Sequence, residues 1–389
     1  VALLCCVIVF LYYRFSHLSK KVRFNINQSK FADTLGPTEW VQQLLEISGD
    51  HKNVKAMRYN FILDDYNQSV YKKLNRIRNH ISEIPADIIA LIPAARWLFD
   101  NFQMMYREIK KFRASGTSYE MLPILKDKEY HGFPRVYILA KKMVALSNGH
   151  LHEESITTML NAYQKEIPLT DKELWVLPEL LGFCLLESIV GVSEDVIRII
   201  KLKSKADKFV RAKLGMEKTP EGFDINNLLC DIEDDCKEDF SFHAQVIYLL
   251  KNMSVDGVSI QKNLDYHFEV KHKKLKPSDI FTEEGKIESY IESNIRALVN
   301  SLREISEVDS EQFFEQFSYL EQILSKDPDG IYHRMDSESR GMYRGIIVEL
   351  SLKYKMDEVK IVNTCLELAK QGRDDIHNSH HVGTYLIGK

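Results

Sequence analysis

Apolar residues recur at three- and four-residue spacing almost without interruption from Thr38 onward, while alternation of the strand type is hard to find. The pattern predicts an all-α fold, an irregular multi-helix bundle. It is clearest in IIALIPAARWLFDNFQMMYREIKKF, where Pro93 suits a first helical turn. Ala94, Trp97, Leu98, Asn101, Met104, Met105 and Ile109 then fall along one side of that helix. Further helices are expected over 133–146, 153–166, 170–190, 193–214, 241–253, 283–305, 309–324, 337–354 and 356–372. Thr170, with Asp171 and Glu173 behind it, and Ser193, with Glu194 and Asp195, offer N-cap oxygens followed by acidic first turns. Gly36, Gly116, Gly149 and Gly191 read as punctuation, and Pro178 inside a helical run should bend or break it. No repeat of fixed period is present.

Two stretches break the periodicity. Residues 1–13, VALLCCVIVFLYY, are uninterrupted apolar and are followed by Arg14, Lys20, Lys21 and Arg23. The run is shorter than the roughly 20 residues of a spanning helix, lacks a small-x-small cleavage site, and is read as a truncated transmembrane helix. Its basic flank puts the rest of the chain on the cytoplasmic side. Residues 215–240 combine Gly, Pro and a charge run and are read as a linker. The expected organisation is therefore a membrane helix at 1–13, a juxtamembrane linker with a short helix at 14–54, and a first helical domain at 55–214. After the linker at 215–240 come a second helical domain at 241–372 and a linker at 373–389.

Composition narrows the function classes without choosing one. The net charge of −4 and the lack of interleaved basic and aromatic residues give no reason to expect nucleic acid as a partner. Cys5, Cys6, Cys184, Cys230, Cys236 and Cys365 form neither a C-x-x-C pair nor a disulfide framework, and are expected to be reduced thiols in a cytosolic setting.

The densest chemistry lies in SKDPDGIYHRMDSESRGMYRG, 325–345. Asp327 and Asp329 form the Asp-x-Asp triplet with which nucleotide-sugar transferases hold a metal, but a helix precedes it and Pro328 and Gly330 make it a turn. Asp336 stands where an N-cap belongs, with Ser339 three residues on. Arg340 and Arg344 share a helix face and are expected to be a solvated surface rather than carboxylate partners. In RDDIHNSHH, His377 and His381 stand four apart with Asp374, Asp375 and His380 beside them, yet Gly372, Asn378 and Ser379 argue for a linker over a metal site. Cys230 and Cys236 lack histidines at zinc spacing, and no Ser-His-Asp elbow or phosphate-binding glycine loop occurs.

Several separated strings go further than these patterns. PAARWLFDNFQMMYREI, YEMLPIL, GFPRVYILAKKMV, YQKEIPLTDKELWVLPELL, DPDGIYHRMD, MYRGIIVELSLKY and HVGTYLI stand in the order and at about the spacing seen near the N-terminus of cyclic β-1,2-glucan synthases. The chain resembles that region from about Pro93 to Ile387. It departs from the family's Asp-Phe-x-Thr-Arg-Asp-x-Tyr-Arg at 336–344, and Gly182 stands where an arginine is common. The resemblance implies a parent enzyme of the bacterial inner membrane that polymerises glucose from UDP-glucose, with a divalent metal, into β-1,2-linked rings. In that family the glycosyltransferase and phosphorylase-like domains follow the region seen here, and 373–389 would lead to the next membrane segment.

This chain is accordingly read as a non-catalytic helical region, with no catalytic, cofactor-binding or metal-binding residue assigned. Its expected partners are those downstream domains, the membrane and a β-glucan. The alternatives are a stand-alone membrane-anchored scaffold or carbohydrate-binding protein, and a helical glycoside hydrolase. Trp97 and Trp175, flanked by apolar residues, are expected to be core anchors; for Trp175, near Pro168, the competing reading is a platform that stacks on sugar rings.

Overall fold

The computed structural model describes residues 36–52, 54–56, 61–84, 89, 92–114, 122–126, 130–214, 240–252, 277–372 and 380–387. The expected membrane helix at 1–13 lies outside them, as do Cys5, Cys6, Cys230, Cys236, Asp374, Asp375 and His377 and nearly all of the 215–240 linker. Among the described residues the fold is all-α, with 13 helices. They are α1 Pro37–Asp50, α2 Phe61–Ser82, α3 Pro93–Ala114, α4 Arg135–Leu146, α5 Glu153–Glu166, α6 Asp171–Leu214 and α7 Phe240–Asn252. These are followed by α8 Pro277–Ser306, α9 Ser310–Phe317, α10 Tyr319–Leu324, α11 Ser337–Tyr354, α12 Glu358–Lys370 and α13 Val382–Ile387. Two three-residue strands that the helical periodicity hides, β1 Val54–Ala56 and β2 Pro123–Leu125, pair antiparallel with Val54 opposite Leu125.

The axis of the fold is α6, a single helix of 44 residues where the sequence suggests two. Its start is the expected one: Glu173 N–H donates to Thr170 Oγ1 at 3.3 Å and the Glu173 carboxylate accepts from Thr170 N–H at 3.0 Å, a reciprocal cap. The expected interruptions do not interrupt. Pro178 lies within the helix, where it removes the N–H that would bond to the Leu174 carbonyl. Buried Leu174, Leu177, Leu180 and Leu181 around it supply packing, each burial contributing about 1.5–3 kcal/mol, that offsets one lost bond. Ser193 is not an N-cap; it is buried, and its hydroxyl donates back to the Ile189 carbonyl at 2.6 Å inside the continuing helix. The part of α6 from Asp171 to Ala212 is long and apolar enough to cross a membrane, but 72% of its most apolar window is buried inside the protein, as in a core helix.

Helices α2, α3, α4, α7, α8 and α9 pack on α6, the most extensive contact being with α8. One apolar cluster joins Met105, Phe112, Tyr137, Leu139, Leu177 and Phe183 with Ile295, Leu298, Leu302 and Phe314. Phe112 stacks on Phe183 with ring centres 4.1 Å apart. Close approach of α8 to the end of α4 depends on Gly149, whose φ of +79° and whose contact with Leu298 leave no room for a Cβ. A second cluster, around Val210, Phe242, Val246 and Ile280, ties α7 to the end of α6 and the start of α8. A third, around Leu324, Tyr332, Ile347, Val362, Val382 and Leu386, joins α10 to α13. Within 380–387, α13 is seated on that cluster because Val382 and Leu386, four apart, share a face.

Candidate functional site

The segment 309–345 forms the junction between the main bundle and the third cluster. Its first helical run divides at Ser318, where the sequence suggests one helix: Asp309 caps α9, accepting from Glu311 and Gln312 N–H, and Ser318 caps α10, accepting from Glu321 N–H. The division brings Glu315 and Glu321 up to α11, whose own N-cap is Asp336, as expected, accepting from Ser339 N–H at 2.8 Å.

On α11, Arg340 and Arg344 are not a solvated face. Arg344 Nη1 contacts Glu321 Oε1, Arg340 Nη2 contacts Glu315 Oε1, and Arg340 Nη1 donates to Glu321 Oε2 at 3.4 Å. Arg344 Nε also lies 3.5 Å from Asp171 Oδ2, at the start of α6. Ser318 Oγ donates to Asp171 Oδ1 at 3.2 Å and the Tyr332 hydroxyl to Glu321 Oε1 at 2.8 Å. Arg344 and Glu321 are 7% and 6% exposed, so the pair is desolvated and depends on these extra bonds to be tolerated. Burial pulls the Arg344 pKa down against the pull of Asp171 and Glu315, and burial raises that of Asp171 against the pull of Arg344. Exposed-pair expectations fail here because the carboxylates arrive from α6, α9 and α10.

Asp327 and Asp329 form a turn, with Gly330 N–H donating to the Asp327 carbonyl at 3.0 Å and Gly330 at φ +64°. The two side chains differ sharply. Asp329 is exposed. Asp327 is buried and accepts from Tyr332 N–H at 3.2 Å, Val382 N–H at 2.8 Å and His381 Nδ1 at 2.7 Å. The Asp327 carboxylate therefore caps α13. His381 Nε2 lies 3.1 Å from the Tyr343 hydroxyl, which suits a tautomer with its proton on Nδ1 toward the carboxylate. The Asp327 carboxylate is thus engaged by three donors. Among the described residues no group of three or more His, Cys, Asp or Glu side chains is placed to hold one. His380 Nδ1 lies 3.2 Å from the Ala369 carbonyl, and Cys184 and Cys365 are free buried thiols.

Between the start of α6 and the first two-thirds of α11 is an open cleft of about 620 Å³, lined by Asp171, Lys172, Trp175 and Val176 on one side and Ser337, Gly341, Arg344, Gly345 and Val348 on the other. Trp175 is not a core anchor. It is 41% exposed, and its indole stacks on the fully buried Phe314 ring with centres 4.9 Å apart and planes 14° apart. The Arg344 guanidinium carbon is 4.7 Å from the centre of that same Phe314 ring. Trp97, by contrast, is partly buried and packs against the main core. The sequence signal for an exposed Trp175 is its polar company at helical spacing, Lys172 three residues before it and Glu179 four after, while Leu174 and Leu177 carry the buried face. A second cavity of about 140 Å³ also borders Trp175, lined among others by Glu108, Lys111, Glu179 and Gly182.

A further buried polar contact ties α4 to the start of α6. Arg135 on α4 is buried and donates from Nε to Glu173 Oε1 at 3.0 Å. Burial works against the charge on Arg135, but the Glu173 hydrogen bond and charge outweigh it and hold the pKa above its ordinary value.

No protein-family profile matches the chain. It is 27% identical over 307 residues to the cyclic beta-(1,2)-glucan synthase NdvB of Rhizobium meliloti (strain 1021), an alignment that covers 77% of this chain and 10% of that enzyme. The chain thus spans about a tenth of the length of the curated relative it matches. Agreement along 307 residues relates this chain to cyclic β-(1,2)-glucan synthase.

Proposed function

We propose that this chain is a non-catalytic helical region of a β-1,2-glucan synthase whose other parts transfer glucose from UDP-glucose and close the chain into rings. The observation that carries the reading is the similarity to the synthase over 77% of the chain. The chemistry of the junction supports it, because its acidic groups have structural uses: Asp327 caps α13, and Glu321 is divided between two arginines. A general acid or nucleophile needs a carboxylate that reaches a reacting atom, and these are already committed. Metal and UDP-glucose would be held by the transferase part, which also is the natural partner of this region. The reading includes an anchor at 1–13 in a bacterial inner membrane, with the helical bundle on the cytoplasmic side, motivated by the apolar run and its basic flank.

Membrane vesicles carrying the full-length synthase test this with UDP-glucose labelled in its glucose. Label should enter a polymer degraded by a β-1,2-glucanase, and Glu315→Gln should leave the initial rate within about fivefold, as for a group that only holds structure. A loss of several orders of magnitude with the fold intact would place chemistry in this region, and no labelled β-1,2 polymer from the intact protein would refute the synthase reading. Recovery of the protein in the soluble fraction without detergent would contradict the anchor.

A further inference from the structure

We propose that the cleft between α6 and α11 is a binding site for a β-1,2-linked gluco-oligosaccharide, with Trp175 as the platform beneath a pyranose ring. The ligand chemistry rests on the glucan-synthase reading; the presence of a site rests on geometry. Phe314, fully buried, stacks on the Trp175 indole, and the indole is still 41% exposed, so a flat apolar surface backed by that stacking is open to solvent. A tryptophan left for core packing would be covered on both faces; this one is 41% exposed and borders two cavities. The depression offers about 620 Å³ and is wide open to solvent, a shape that suits a sugar chain laid along it rather than an enclosed small molecule.

The rim has the polarity that sugar hydroxyls require. Asp171 supplies a carboxylate acceptor, Lys172 an ammonium donor and Ser337 a hydroxyl, at the edge of an apolar floor made by Val176 and Val348. Arg344 is oriented by its contacts to Glu321 and Asp171, so hydroxyls meet a donor that does not have to be ordered on binding. The same pairing disfavours an anionic ligand, because the charge of Arg344 is already balanced by two carboxylates. A neutral ligand with one apolar face and a polar perimeter, which describes a pyranose ring, fits this combination. On the α11 wall, Gly341 and Gly345 stand four apart, and a Cβ at Gly345 would meet nothing within 4 Å. That absence of side chain keeps the cleft open along its length.

The test uses the 389-residue chain in detergent with linear β-1,2-gluco-oligosaccharides, and β-1,4-linked cello-oligosaccharides as the comparison. Trp40→Phe and Trp97→Phe leave Trp175 as the one indole among three. Its emission should then change saturably with the β-1,2 ligand. Calorimetric affinity should fall about tenfold or more in Trp175→Ala, as expected for loss of a stacking platform. Gly345→Leu keeps the fold, since leucine is a better helix former and enters open space, and should abolish binding by filling the cleft. Undiminished affinity in Trp175→Ala or Gly345→Leu, no saturable binding by a folded chain, or preference for the β-1,4 ligand would each overturn the proposal. Vesicles that make β-1,2-glucan while the cleft variants bind normally would sink the cleft alone; vesicles that make none would sink the synthase reading.

Discussion

Asp327 and His381, 54 positions apart, meet at 2.7 Å between Oδ2 and Nδ1, and the other oxygen of the same carboxylate receives Val382 N–H at 2.8 Å. One buried side chain in a turn therefore sets where the last described helix begins. A local Asp-x-Asp turn and a long-range cap are the same residue.

Asp327→Asn should cost about 1–3 kcal/mol, because the amide must point an N–H₂ group at a donor that the carboxylate accepted. Asp329→Asn, at an exposed position of the same turn, should change stability by less than about 0.5 kcal/mol. Urea denaturation of both variants checks the contrast, and amide hydrogen exchange should quicken selectively at 382–387 in Asp327→Asn. Equal midpoints for the two would remove Asp327 from its capping role.

Glu321 joins Arg340, Arg344 and Tyr332 in a desolvated group, so removing Glu321 or Arg344 strips the other of its principal partner in a buried setting. Arg344→Ala and Glu321→Ala should each destabilise by about 3–5 kcal/mol. The double variant should lose less than the sum by about 1–3 kcal/mol, since the second deletion relieves what the first leaves unpaired. Additive losses in a double-mutant cycle would show that the two side chains are not coupled.

What the sequence makes legible follows from how local each cause is. Pro93 and the spacing of Ala94, Leu98, Met105 and Ile109 define α3, and all four of those residues are buried. Thr170 and Asp336 cap as their neighbours suggest, because an N-cap bond spans three residues. Ser193 and Gly191 also carry local stop-and-start signals, but the helix runs through them because packing on both sides of α6 outweighs preferences of about 1 kcal/mol. Arg340 and Arg344 show their shared face in the sequence, yet their partners lie 19 to 25 positions away or on α6, and nothing local announces them. Trp175 misleads for a related reason: apolar neighbours in the chain are not neighbours on the helix surface.

Two glycines should respond to alanine with opposite signs. Gly149 sits at φ +79° with a built Cβ only 2.6 Å from Leu298 Cδ2, so Gly149→Ala should cost about 1–3 kcal/mol through left-handed strain and displacement of α8. Gly191 is inside α6, exposed, with nothing within 4 Å of a Cβ. Gly191→Ala should stabilise by about 0.5–1 kcal/mol through lost chain entropy in the unfolded state. Denaturation midpoints that move the same way would contradict either the turn at 149 or the unbroken helix at 191.

The stability of the fold should fall steeply above about pH 9–10. Burial raises the pKa of Tyr137, with the Glu187 charge adding to it, and burial likewise raises those of Tyr163, Tyr332 and the Cys184 thiol. All four have folded pKa values above their unfolded ones, so the folded state holds protons that the unfolded chain releases first. Their contribution is therefore complete below the unfolded values, about 8.5 for a thiol and about 10 for a phenol, and is lost as pH rises toward the folded ones. Each group adds a slope of about 1.4 kcal/mol per pH unit within its window. Guanidinium midpoints at pH 8 and pH 10.5 should differ accordingly, and a set of phenols should ionise at 295 nm only as the far-ultraviolet helical signal disappears. Removing Cys184 and Tyr137 from the set, as Cys184→Ala with Tyr137→Phe, should flatten the slope between pH 9 and 10.5, since neither replacement has a proton to lose. An unchanged slope in that variant, or complete phenol ionisation with the helices intact, would show that burial does not hold these protons.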